Sequence, residues 1–518
     1  MDLSIRKLLL LLLLISLSSI RVAEASIHVY NLETFEEIGN SYLLSGGSEG
    51  IVSSSSNSGE SVGSGIHNGL SFIRFENITF WRSKKAADQH TAMEHSTGLI
   101  QAFFFEAADR DTIGGSAYGG QRSICCTPDL AKLEGCRQGE LIRRPSATDP
   151  RWPIVLSTQF SGNDLSAKMD STEIRITNTG MYNLFFVSCD PNLKGLIMSG
   201  KTLWKNPEGY LPGRMAPLMK FYVFMLLAYT ILSVIWFAQY SRFWRDMLQI
   251  QHCITLVIAL GLFEMTLWYF EYANFNKTGM RPVGITTWVV TIGALRKTVS
   301  RLLILCVSMG YGVVRPTLGG LTIKVLLIGV TYFVASELLD ITENVGTIND
   351  ISGKARLMLV LPDAFLDSFL ILWIFTSLSK TLEQLQAKRS YVKLDTYRKF
   401  ANALGISVVA SAAWIGYEVY FKVTDLYSER WQSAWIITAF WDILALLLLC
   451  VICYLWAPSQ NSHRYAYSEE VREDLDDEEA QSLTRGAPEG DLSLVKQEIN
   501  HNTDVFGLDD DEEEDKRE

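Results

Sequence analysis

The sequence predicts an α+β membrane protein in which a β-sandwich precedes a seven-helix transmembrane bundle and a disordered acidic tail. Three observations predict it. Seven apolar runs of membrane length occupy roughly residues 217–456. Short, aromatic-rich alternating runs separated by Ser, Gly, Asn and Asp occupy the stretch before them. Acidic residues crowd the stretch after them. The expected boundaries are a leader over 1–25, the sandwich and a linker over 26–214, the bundle over 215–456 and the tail over 457–518.

The net charge of -11 is unevenly spread. Residues 457–518 hold 20 acidic and 6 basic side chains, a net of -14, against 37 acidic and 40 basic elsewhere, a net of +3. Blocks such as Asp509-Asp510-Asp511-Glu512-Glu513-Glu514-Asp515 repel themselves and offer nothing apolar to bury. The tail therefore reads as a solvated segment able to meet cytosolic sorting machinery. An acidic chain of this kind repels phosphate, which argues against a nucleic-acid partner.

Arg6 and Lys7, the leucine run Leu8 to Leu14, and Ala23-Glu24-Ala25 are the three regions of a secretory signal peptide, with cleavage before Ser26. The segment from Ser26 to the first apolar run then faces an oxidising lumen. Strands are expected over Leu70 to Trp81, Leu99 to Glu106, Ile154 to Phe160, Glu173 to Ile176 and Met181 to Cys189, the last two joined as a hairpin through Thr177-Asn178-Thr179-Gly180. The Ser/Gly stretch 45–65 reads as a loop. Cys125, Cys126, Cys136 and Cys189 are the disulfide candidates. A bond between the neighbours Cys125 and Cys126 would be strained, so each pairs with Cys136 or Cys189. Asn77 and Asn276 head N-glycosylation sequons.

The seven runs fall near 217–239, 250–272, 286–310, 318–340, 357–378, 400–421 and 432–456. A luminal start places the tail in the cytosol. The loop from Lys380 to Lys399, rich in Lys and Arg, then falls on the cytosolic side, as the positive-inside rule requires.

The bundle carries charges that lipid does not tolerate. Glu264 lies in the second run, Arg296, Lys297 and Arg301 in the third, Glu337 in the fourth, Asp363 and Asp367 in the fifth, Glu418 in the sixth and Asp442 in the seventh. Each costs about 2.5–3.5 kcal/mol at mid-bilayer unless paired or hydrated. Lys297 and Asp367 both come to roughly 15 Å from the luminal ends of their runs, so a pairing of Lys297 or Arg301 with Asp363 or Asp367 is geometrically possible. The set reads as a polar network opening towards the lumen, suited to an ion path, a lipid headgroup or a cargo.

Two motif matches fail on context. Residues 195–202 spell the phosphate-loop pattern, but Pro207 and Pro212 come where a helix is needed. His90, Glu94 and His95 have no zinc-protease spacing. With no nucleophile–base constellation either, neither an enzyme nor a resident metal or cofactor is expected, apart from a bound phospholipid.

The stretches Gly180 to Cys189, Trp204-Lys205-Asn206-Pro207-Glu208-Gly209-Tyr210-Leu211-Pro212-Gly213 and Ser308 to Pro316 resemble the lung seven-transmembrane receptor family, in its transmembrane protein 87 branch. The resemblance runs from about Ser26 to Pro458. It implies a luminal GOLD-like β-sandwich, a bundle with a lipid-accessible cavity, and residence in the Golgi, trans-Golgi network or endosome. It also implies a part in retrograde trafficking, with membrane lipid and luminal protein cargo as partners. A cation channel is the alternative. A G-protein-coupled receptor ranks third, because the third run lacks an Asp-Arg-Tyr end and the seventh lacks Asn-Pro-x-x-Tyr.

Overall fold

Alternation of apolar residues builds the first half of the chain. The computed structural model describes residues 26–53, 70–92, 98–116, 123–132, 136–145, 150–245, 247–311, 320–344, 353–389, 391–425 and 428–458. The leader, the tail beyond 458, the Ser/Gly residues 54–69, Glu94 and His95, and the end of the 308–316 motif lie outside them. Ten strands are described: β1 (Ile27–Thr34), β2 (Glu36–Ile38), β3 (Ser41–Ile51), β4 (Phe72–Trp81), β5 (Leu99–Glu106), β6 (Ile154–Gln159), β7 (Ser166–Lys168), β8 (Glu173–Arg175), β9 (Gly180–Ser188) and β10 (Ile197–Lys205). One sheet runs β1-β10-β4, with β7 and β8 both pairing to β4; the other runs β2-β3-β9-β5-β6.

The two sheets share a core. Phe186 of β9 stands edge-on to Phe75 and Phe80 of β4, at 6.4 and 6.0 Å between ring centres. In β4, Ile73 and Phe75 point inward, and after a register shift opposite Gly200 the inward set becomes Ile78 and Phe80. Asn77 sits at that bulge with φ of 53° and its side chain exposed. The run Leu99 to Glu106 is unbroken rather than alternating because both faces of β5 are covered. Its outer face stacks Phe103 on Phe185 under the segment held by Cys125–Cys189. The second disulfide is Cys126–Cys136.

Two strand expectations change, and the refusal of the phosphate loop agrees with the fold. Glu173–Arg175 and Gly180–Ser188 are not a hairpin: β8 pairs β4 in one sheet and β9 lies between β3 and β5 in the other. The Ser/Gly stretch is strand β3 as far as Ile51. Its glycines mark close approaches, since a Cβ on Gly46 would meet Leu184 at 2.7 Å and one on Gly50 would meet Trp431 at 2.5 Å. Composition reports such glycines as loop, whereas here neighbouring side chains fill the space. Residues 197–205 form β10, with Lys201 paired to Glu76 at 2.9 Å, instead of the loop and helix that phosphate binding needs.

Seven long helices complete the described chain: α1 (Ala216–Arg242), α2 (Gln249–Thr278), α3 (Val283–Ser308), α4 (Leu321–Asn344), α5 (Gly353–Ala387), α6 (Tyr391–Thr424) and α7 (Trp435–Leu455). All but α3 are long and apolar enough to cross a membrane on composition; α3 has the length but carries three cations. Phe224, Leu227, Ile231, Val234 and Phe237 lie exposed along α1, as a lipid-facing surface requires.

The sandwich is clasped to one end of the bundle. Ile27 N donates to Gly279 O at 3.1 Å, in the turn where Gly279 takes φ of 75° and ends α2. Tyr210 N donates to Asn276 O at 3.0 Å. Trp431, between α6 and α7, packs against Gly50 and Gly213 beside Met181 and Ala107. The opposite end is closed by Trp456, edge-on to Tyr397 and Phe400.

The two disulfides close loops of very different length, 64 and 10 residues. In the chain-entropy account the longer contributes about 4 kcal/mol and the shorter about 3 kcal/mol. Replacing Cys125 and Cys189 together by alanine is expected to lower the melting temperature of the sandwich more than replacing Cys126 and Cys136. Equal or reversed losses in a thermal melt would refute this ordering.

Candidate functional site

α3 places its cations on two faces. At 3.6 residues per turn, Lys297 and Arg301 lie about 40° apart and Arg296 about 100° from Lys297. Each face finds its own carboxylates.

On the closed face, Arg296 Nε donates to Glu264 Oε2 of α2, and Arg296 Nη2 reaches Glu264 Oε1 and Asp442 Oδ1 of α7, each at 3.3 Å. The side chains of Arg296 and Glu264 are 7% and 5% exposed. Counted along the helices, Arg296 from the start of α3 and Glu264 from the end of α2 both lie about 20 Å from the sandwich end. A Cβ on Gly293 would stand 3.0 Å from Glu264 Oε1, so a small residue there leaves room for the carboxylate. A turn or two nearer the sandwich, Arg281 bonds Glu271, which also accepts from Thr286 Oγ1 at 3.1 Å. Glu264 and Glu271 thus share one face of α2, directed at α3.

On the other face, Lys297 Nζ lies 2.8 Å from Asp340 Oδ2 of α4, and Arg301 Nε lies 3.2 Å from Asp367 Oδ1 of α5. The possible pairing is therefore formed by Arg301, but Lys297 takes Asp340 instead of Asp363 or Asp367. Depth counted from helix ends does not reveal this, because side chains lean towards the N-terminus of their helix. α3 and α4 run in opposite directions, so Lys297 leans towards the sandwich and Asp340 away from it, and the two meet. Glu337 Oε1 accepts from Thr291 Oγ1 at 2.7 Å. Glu337 Oε2 and Asp363 Oδ1 are shielded from solvent and have no hydrogen-bond partner among the described residues.

This second face is open. Lys297 and Arg301 are 44% and 38% exposed, several-fold more than Arg296. The reason is the course of α5 and α6. α5 buries Leu370, Ile374, Leu378 and Leu385, but nothing from 361 to 369. α6 buries Leu394, Tyr397, Phe400 and Leu404, but nothing from 405 to 420. Both helices bury side chains in the half away from the sandwich and none at these positions in the half beneath it. Phe365, Phe369 and Leu372 of α5 and Ile406, Val409 and Ile415 of α6 are exposed in that half. The result is an open polar chamber on this side of α3, walled by the Lys297–Asp340 and Arg301–Asp367 pairs.

Two predicted residues have other roles. Glu418 pairs with Lys422 one turn along α6, at 2.7 Å, and is separate from the α3 cluster. The side chain of Asn276 is spent on the linker: its Oδ1 accepts from Leu211 N at 3.0 Å and its Nδ2 donates to Glu208 O at 3.1 Å. A glycan on that nitrogen would compete with the clasp, whereas Asn77 is free to project from its bulge. Sequence reasoning places Arg281 in a loop and misses its pairing. The signal that could have found it is its position ten residues after Glu271, across a turn marked by Gly279. Among the described residues no group of three metal-ligating side chains is close enough to hold an ion.

Residues 217–463 match the family model described as GOST, seven transmembrane domain. Transmembrane protein 87A of Xenopus tropicalis is 32% identical over 361 residues, which are 69% of this chain and 64% of that protein. Transmembrane protein 87B of Homo sapiens is 36% identical over 278 residues, 52% of this chain and 48% of that protein. Membrane protein PTM1 of Saccharomyces cerevisiae is 24% identical over 368 residues, 65% of this chain and 68% of that protein. The chain spans less than two thirds of the length of the 87A and 87B relatives it matches.

Breaking the closed triad leaves an arginine charge buried without its partner, at a cost of about 3–5 kcal/mol. Glu264→Gln is expected to lower the melting temperature of the detergent-purified protein by many degrees. Glu418→Gln removes an exposed pair and changes stability by about 0–1 kcal/mol. Similar melting curves for the two variants would show that the triad does not hold the bundle.

Proposed function

Taking the bundle as a member of the GOST seven-transmembrane family, we propose that this multi-pass membrane protein is a non-enzymatic carrier of the Golgi and endosome. In this reading it works in retrograde transport to the trans-Golgi network and binds a lipid or lipid-bearing cargo in its bundle. The observation that carries the reading is the exposure of the Lys297–Asp340 and Arg301–Asp367 pairs beneath the sandwich, where α5 buries nothing from 361 to 369 and α6 nothing from 405 to 420. A headgroup with both charges matches the Lys297–Asp340 and Arg301–Asp367 pairs, each of which can exchange its partner for a ligand group of the same sign. Acyl chains match the apolar residues exposed in this half, among them Phe365, Phe369, Ile406 and Val409, which suit contact with the bilayer. The sandwich lies over this half of the bundle, so a luminal protein cargo would meet sandwich and chamber together. On this orientation the acidic tail is cytosolic and available to sorting machinery.

A second reading, a cation path, is favoured by one observation: the unpartnered carboxylate oxygens of Glu337 and Asp363 beside the open face. Both groups have the oxygen chemistry that hard cations prefer.

The two readings separate in one preparation. The protein is extracted with its native lipid into nanodiscs, and bound lipid is quantified by mass spectrometry. Arg301→Gln with Asp367→Asn removes an ion pair without leaving a lone charge. That double variant is expected to lose most of a stoichiometric phospholipid while keeping its melting temperature within a few degrees. No stoichiometric lipid in the unaltered protein would end the carrier reading. Cation flux in reconstituted vesicles that is abolished by Glu337→Gln with Asp363→Asn would put the channel in its place.

A further inference from the structure

The first described residues occupy a polar pocket that the chamber does not involve. Ser26 is buried, and its carbonyl accepts from Trp204 N at 2.7 Å. Its hydroxyl donates to Glu49 Oε2 of β3 at 3.1 Å. Glu49 is 5% exposed, and its Oε1 lies 3.0 Å from His28 Nε2. His28 stands edge-on to Trp204 and fills the space over Gly47, where a Cβ would come within 2.8 Å of its ring. Nearby, the Tyr30 hydroxyl donates to Gly46 O and contacts Thr202 Oγ1. Burial, with the Glu49 charge assisting, raises the Tyr30 phenol well above its ordinary range.

The nitrogen and hydroxyl oxygen of one serine are roughly 3 Å apart by covalent geometry. Ser26 N therefore lies within roughly 6 Å of the Glu49 carboxylate, given the hydroxyl contact. In a chain that keeps its leader, that nitrogen is a neutral amide. Cleavage before Ser26 changes it. A leader-cleaving protease uses one water to break the Ala25–Ser26 peptide bond; the carboxylate leaves on Ala25, and the new amine takes a proton. An α-amine of ordinary basicity is charged at or below neutral pH.

We propose that leader removal creates a cation for the Glu49 pocket: the Ser26 α-ammonium seats beside the buried carboxylate and ties β1 in one sheet to β3 in the other. The same strand end holds the bundle, because Ile27 N donates to Gly279 O. Processing and docking of the sandwich are thereby coupled, and an unprocessed chain lacks the charge that fastens the clasp. The inference rests on the cleavage point read from Ala23-Glu24-Ala25 and is independent of what the chamber binds.

The test uses the full mature protein. Mass spectrometry of its N-terminal peptide is expected to show Ser26 first, with a free amine. Acylation of that amine by a small activated ester at neutral pH is expected to be at least about tenfold slower in the folded than in the denatured protein. A rise of one pKa unit lowers the reactive free base by about that factor. Glu49→Gln should restore most of the rate. Should that variant not fold, two glycines inserted between Ala25 and Ser26 move the ammonium out of the pocket and leave Glu49 intact. The extended chain should label at the denatured rate and melt lower. A mature chain that begins elsewhere, or a folded amine that labels as fast as the denatured one, overturns the proposal. So does a slow amine whose rate neither change alters.

Discussion

A cation in hydrocarbon costs about 2.5–3.5 kcal/mol, and Arg296, Lys297 and Arg301 place three within two turns of α3. The rest of the bundle is arranged around that constraint. Glu264 comes from α2, Asp340 from α4, Asp367 from α5 and Asp442 from α7. One helix is thus joined electrostatically to four others. Because each pairing is strong only at contact distance, rotation or sliding of α3 would break several at once. Apolar packing in lipid is permissive about such movements, since a leucine against a leucine resembles a leucine against an acyl chain. The ion pairs supply the specificity that packing does not.

The two faces of α3 divide structural from functional demand. The Arg296 face is sealed, and there the pairing offsets desolvation and holds α2, α3 and α7 together. The Lys297 and Arg301 face is only partly covered, and there the ion pairs present both charges to a ligand. Pairs that can be exchanged are what a binding chamber needs, and pairs that cannot are what a scaffold needs.

Fixing the sandwich to that end of the bundle takes unusual local chemistry. Gly50 and Gly213 leave space for Trp431, Gly279 takes a left-handed turn beneath Ile27, and Asn276 uses both ends of its amide on the linker. One of these carries a misleading local signature, since Gly50 in β3 reads as loop, and the sequon residue Asn276 has a second part in the linker that its triplet does not show. Local rules describe a residue's own preferences. Here a partner distant in sequence decides what the residue does.

By itself the sequence determined the parts and their order. Long apolar runs mark all seven helices, because the length of a membrane-crossing segment is set by the bilayer, although α5 runs on to Ala387 and α6 begins already at Tyr391, beyond the ends of their runs. The runs around Ile73, Phe104 and Phe186 likewise marked the strands that bury them. The sequence also exposed the buried charges, because a charge in an apolar run is conspicuous. It left open which cysteine pairs with which, which carboxylate meets Lys297, and which sheet takes β8. Those are relations between segments far apart in the chain. The tertiary structure decided them through the lean of side chains on antiparallel helices, the pairing of β8 with β4, and the approach of Cys125 to Cys189. None of these is written in the local periodicity of any one segment.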